Sequence, residues 1–166
     1  MLDALNPHCL RTSVRHEIHF LRRMLQQIHC DQLINALLPF AQQMLAKHGE
    51  FLPFGAFVNA SGAVELFSGY TGAEHPKPQE LIDLMSGTAR AMAADRRCRA
   101  VGICVDVHTL LPGTTEKTDA ALVALEDATG ALNVYLPYRK RPDRTVEYGG
   151  LVSSHARPTI FLQASQ

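Results

Sequence analysis

The chain has 166 residues, 46% of them hydrophobic and 19% charged, and its sixteen basic residues balance sixteen acidic ones. That length and apolar content support one core without disulfide or metal staples. Balanced charge argues against a dedicated nucleic-acid or anionic-membrane binder, and no run of about 18 consecutive apolar residues is present to span a bilayer.

In the N-terminal stretch "MLDALNPHCLRTSVRHEIHF" there is no apolar run long enough for a signal-peptide core, so a soluble cytoplasmic protein is expected. From Ser13 the apolar residues Val14, Ile18, Leu21, Leu25 and Ile28 recur in alternating steps of four and three. This spacing predicts an amphipathic helix with a short coiled-coil seam, a candidate interface. Asp31 is suited to cap a second helix running to His48, with Leu33, Leu37, Phe40, Met44 and Leu45 inward, Gly49 as its stop and Pro39 as a kink or break. "EFLPFGAFVNASGAVELFSGY" then reads as a β-hairpin turning at "NASG". Pro78 opens a further helix whose stripe is Leu81, Leu84, Met85, Thr88 and Met92. After it, "AVGICVDVHTL", "DAALVALED" and "ALNVYLPY" read as a three-stranded meander, followed by the basic connection "RKRPDR" and a short strand around residues 145–148. The segment "GGLVSSHARPTIFLQASQ" has no clear period.

The expected fold is α+β, with an antiparallel sheet of about five strands, helices packed on one face, and two N-terminal helices preceding it. One domain is expected over residues 1–166: an N-terminal helical arm over 1–30, a core over 31–150 and a terminal segment over 151–166. The element order over residues 51–138 resembles the architecture shared by profilin-like and roadblock-type domains. The wording "HGEFLPFGAF", "DAALVALEDATGALNVYLPY" and "VEYGG" also resembles a group of small bacterial α+β proteins without an assigned activity, over residues 48–161. That resemblance implies no functional residue.

No catalytic or cofactor motif has the required spacing. Cys9, Cys30, Cys98 and Cys104 contain no pair two residues apart and read as free thiols. His16 and His19 share a helix face, but "HEIH" is one residue short of the zincin spacing and Arg23 would repel a cation, so no metal is expected. Ser153, Ser154 and His155 lack a nucleophile elbow, and "GTTEKTD" lacks the second glycine of a phosphate loop, so no nucleotide or other cofactor is expected. Arg139, Lys140, Arg141 and Arg144 cluster after Tyr138, and read as a solvated hairpin mouth with no specific nucleic-acid role.

The candidate binding site comes from strand alternation. Ile103, Val105 and Val107 take one face, and Cys104, Asp106 and His108 the other. Val123 and Leu125 are expected with the first group, facing the helices, so that Glu126 and Tyr135 join Cys104, Asp106 and His108 on a mixed face turned away from the helices. That surface suits a second copy of the chain or another protein partner. The competing reading is a small-ligand site or an enzyme centre on the same face, which would require a concave pocket rather than a broad shallow surface.

Overall fold

The structure, a computed structural model, describes residues 7–162; within the first helix the side chains of residues 7–22 and 24–26 lie outside that description. Pro7–His48 form one continuous helix, α1, where the sequence predicts two. Asp31 is therefore a helical residue, and its carboxylate accepts a 3.0 Å hydrogen bond from Gln27 one turn earlier. Pro39 sits inside the helix on its exposed side. The hydrogen bond that proline cannot donate is the one to the carbonyl of Asn35, also an exposed residue, so the loss falls on the solvent side of the helix.

Strands β1 (Phe54–Asn59) and β2 (Val64–Phe67) form the predicted hairpin, with the Asn59 side chain accepting from the N–H groups of Ser61 and Ala63. Helix α2 (Pro78–Ala94) follows. Its buried stripe is Leu81, Met85, Ala89 and Met92, while Leu84 and Thr88 face outward. Then come β3 (Cys98–Leu110), β4 (Lys117–Asp127) and β5 (Gly130–Lys140), the expected meander. Two short strands, β6 (Val146–Tyr148) and β7 (Val152–Ala156), both pair with β5, at opposite ends of it. The sheet thus has seven strands rather than about five, all pairings are antiparallel, and its order is β2-β1-β3-β4-β5-β6 with β7 also on β5. β7 gives part of residues 151–166 a place in the sheet.

Helices cover both faces of this sheet, which corrects the expectation of helices on one face. From Ala100 to Val105 β3 is apolar on both sides, and such a stretch demands cover on both sides. On one side α1 lays Leu33, Leu37, Leu38 and Ala41 against Ala100, Cys104, Ala121, Val123, Leu125, Val134 and Leu136. On the other, α2 packs Met85 and Ala89 onto Val101 and Ile103, joined by Ile160 from the C-terminal segment. Gly102 permits the α1 contact, since a Cβ there would lie 2.8 Å from a Leu37 methyl. Among the described side chains of α1, packing on the sheet begins at Cys30, and Ile28 is 48% exposed. Among the described residues no helix is long and apolar enough to cross a membrane.

Candidate functional site: a groove at the open edge of β3

The register of β3 against β4 decides where the candidate residues lie. Cys104 pairs with Val123, Asp106 with Ala121 and His108 with Asp119, whereas Glu126 pairs with Val101. Cys104, Asp106 and His108 therefore share the face covered by α1, while Glu126 is on the α2 face. Tyr135 pairs with Leu122 and also takes the α2 face. The structure thus divides the predicted group into two, separated by the thickness of the sheet. The mixed face turned away from all helices does not form.

Each residue then has a distinct environment. Cys104 is fully buried, and burial, reinforced by neighbouring Asp106, pushes its thiol up to about 12. A thiol held neutral in this way is a core side chain, not a nucleophile. His108 makes a 2.8 Å contact with Asp119 at the surface, where such a pair contributes little. Glu126 is buried and occupied: its carboxylate accepts from the N–H groups of Thr159 (2.9 Å), Ile160 (2.6 Å) and Phe161 (2.7 Å). It anchors the C-terminal segment over α2's face of the sheet, and the Arg90 side chain donates to the Thr159 carbonyl at 2.9 Å from the other side. Tyr135 is half-buried. The paired His16 and His19 and the seam residues Val14, Ile18, Leu21 and Leu25 belong to the part of α1 whose side chains lie outside the described residues. Among the described residues no group of three metal-ligating side chains forms.

Asp106 differs from the others because it lines a cavity. β1 pairs with β3 only as far as Phe54 opposite Cys104, and Pro53, which has no N–H to donate, stands just before that last pair. β3 continues to Leu110 without a strand on that side. The resulting groove has a volume of about 920 Å³ and wraps the β3 edge at Val105 and Asp106. One wall is the last turns of α1, with Phe40, Met44 and His48; the other is the β2–α2 connection from Ser68 to Pro78, with Leu81. Residues 50–54 form its inner end. Phe54 makes edge-to-face contacts with Phe40 and Phe51, at centroid distances of 4.8 and 5.7 Å, so the aromatic wall is braced. Phe40 (40% exposed), Leu52 (52%) and Tyr70 (82%) nonetheless present apolar surface to the opening.

The electrostatics of the groove are acidic. Glu50, Glu74 and Asp106 line it, and His48 is the basic residue among its lining. Burial raises the Asp106 carboxyl above its ordinary value of 3.8. Partial compensation comes from the Tyr138 hydroxyl, which donates to it at 2.6 Å, from Lys140, and from the backbone N–H of Phe51. Nearby Asp119 adds to the rise. Tyr138 is itself buried, and its own pKa is driven up by that burial and by the carboxylate it serves. Asp106 is therefore a positioned acceptor with a raised pKa at the margin of a groove that is apolar over most of its lining.

Several of these residues escape a sequence reading. Phe40 and Met44 carry the helical period and read as core; Phe51 and Leu52 read as strand. Pro53 is the one local signal that the β1 line ends early. Tyr138 joins Asp106 only through two strand registers. Comparison with protein-family models, characterised proteins and solved structures finds no match to the chain.

Proposed function

We propose that this protein binds a ligand in the groove beside Asp106 without transforming it, and that the ligand is an apolar or aromatic body carrying an ammonium or guanidinium group. The observation carrying this reading is the convergence of exposed Phe40, Leu52 and Tyr70 with half-buried Asp106 around a concavity of about 920 Å³. Ligand sites are concave, largely apolar and supplied with a few oriented polar groups. Three carboxylates in the lining select a cation, and the faces of Phe51 and Tyr70 suit it further through cation–π attraction.

The test is a titration of the labelled protein with phenethylamine and with 3-phenylpropionate, two probes of similar body and opposite charge, followed by amide NMR. Saturable shifts at His48, Leu52, Gly69 and Asp106 are expected with the amine and much weaker ones with the acid, and Asp106→Asn should weaken the amine. Equal response to both probes, or none at these residues, would remove the proposal.

A second reading, self-association, draws support from α1. The helix extends from Cys30 back to Pro7, roughly 35 Å at 1.5 Å per residue. The Val14 to Ile28 seam has the period of a coiled coil. A second copy of the chain, laid seam to seam, is the occupant of that arm.

A further inference from the structure

A second cavity lies next to the groove and has the opposite charge. It occupies about 340 Å³ between the end of α1 and the turn joining β5 to β6, and Lys47, His48, Lys140, Arg141 and Arg144 line it. Leu45, Ala46, Gly49 and Val146 supply the rest of its lining. His48 belongs to both cavities. In sequence Lys47 and Lys140 are far apart, and each cluster alone reads as an ordinary feature: cations in the last turn of a helix, or a charged hairpin mouth. The fold brings the two together around one hollow.

We infer that this cleft is a binding site for a compact phosphate-bearing anion, distinct from the groove beside Asp106. Four permanent cations line the cleft and no carboxylate does. Of the acidic residues of the turn, one offsets a cleft cation and the other is held within the turn. Glu147 accepts from Arg141 at 2.7 and 3.2 Å, which fixes that guanidinium, and Asp143 accepts from the Thr145 N–H and hydroxyl at 3.0 and 2.6 Å. Among the described residues Lys47, Lys140 and Arg144 form no ion pair. The end of α1 carries about half a negative charge, which opposes an anion but is small against Lys47, Lys140 and Arg144 together.

Arg144 adds an observation of a different kind. The turn is closed by the Arg141 N–H on the Thr145 carbonyl and the Arg144 N–H on the Arg141 carbonyl, both at 2.9 Å, and it holds Arg144 at φ 70°. Glycine or asparagine takes that conformation at less cost, so an arginine there forgoes local stability while placing a guanidinium at the cleft. A guanidinium can grip two oxygens of one phosphate, and ammonium groups supply point charge beside it.

The test is calorimetric titration of the full chain with inorganic pyrophosphate and triphosphate, with sulfate at matched ionic strength as the reference anion. One saturable site is expected, tighter for triphosphate than for sulfate and weakening as salt is raised. Arg144→Gly and Lys47→Gln should each weaken it by about tenfold, the effect of one charge-assisted contact. Arg139→Ala removes the same charge outside the cleft and should leave affinity within twofold. Arg144→Gly relieves the turn, so a melting temperature at or above that of the parent shows that folding is intact. Adenosine triphosphate binding no tighter than inorganic triphosphate identifies the free anion as the ligand source; tighter binding identifies a nucleotide. The inference is overturned by equal affinity for sulfate, by an Arg139→Ala loss matching that of Arg144→Gly, or by binding of an oligonucleotide with none of triphosphate. Phenethylamine binding at Asp106 reports the groove separately, so either site can fail alone.

Discussion

Tyr138 on β5 reaches across β4 to donate a 2.6 Å hydrogen bond to Asp106 on β3. Asp106's direct partner on β4 is Ala121, whose methyl group leaves the path open. A buried phenol thereby holds a carboxylate at the margin of the groove, and β3, β4 and β5 must all be in register for the contact to exist.

Removing that donor with Tyr138→Phe should cost about 1.5 kcal/mol at pH 7, the lower end for a hydrogen bond to a charged group because Asp106 is open to the groove. The cost should depend on pH. Burial raises the folded pKa of Asp106 above 3.8, so its contribution is most favourable below the unfolded value and is lost as pH rises through the folded one. The variant, with one compensating donor fewer, loses more over that window, so its deficit should be larger at pH 7 than near pH 4. Urea unfolding at the two pH values measures this; a deficit independent of pH would mean that Tyr138 acts through packing alone.

Gly102 and Gly87 should respond to alanine in opposite directions. At Gly102 a Cβ would meet Leu37 at 2.8 Å and Leu125 at 3.1 Å, both buried, so Gly102→Ala should destabilise by about 1–3 kcal/mol as α1 is pushed off the sheet. At Gly87, on the exposed side of α2, nothing lies within 4 Å, and Gly87→Ala should gain up to about 1 kcal/mol of helix propensity. Thermal melts of the two variants check the pair.

Glu126→Gln should loosen the C-terminal segment before it affects the sheet. The carboxylate accepts three consecutive backbone N–H groups, whereas an amide offers one oxygen and no charge, so roughly 2 kcal/mol of local anchoring is lost. Hydrogen exchange should accelerate at Thr159, Ile160 and Phe161 while the β3 and β4 amides change little. Uniform acceleration throughout the sheet would place Glu126 in the global core instead.

For self-association, Leu21→Glu combined with Leu25→Glu should lower the mass measured by light scattering, since two charges would be forced into an apolar seam. Full mass retained with the melting temperature unchanged would show that the seam is not an interface.

Periodicity and turn chemistry were sufficient for the hairpin at "NASG", the helix opened by Pro78, the meander and the antiparallel α+β class, because these features repeat within a few residues and need no distant partner. The two expected N-terminal helices are one for a related reason: Asp31 as a cap and Pro39 as a break are local signals, and the packing of Leu33, Leu37 and Leu38 on the sheet outweighs them. Alternation along β3 and β4 correctly sorted each strand into two faces, yet it could not say which face of one adjoins which face of the other. That is set by the six-residue loop from Leu111 to Glu116, where Thr114 bonds the Leu111 carbonyl and Leu110 is brought opposite Lys117. A shift of one residue in that loop exchanges the faces, and this is why Glu126 parts from Asp106. The groove and the basic cleft were beyond the sequence for the same physical reason. Each is assembled from the end of α1 and from strands or loops tens of residues away, and only tertiary packing brings their side chains together.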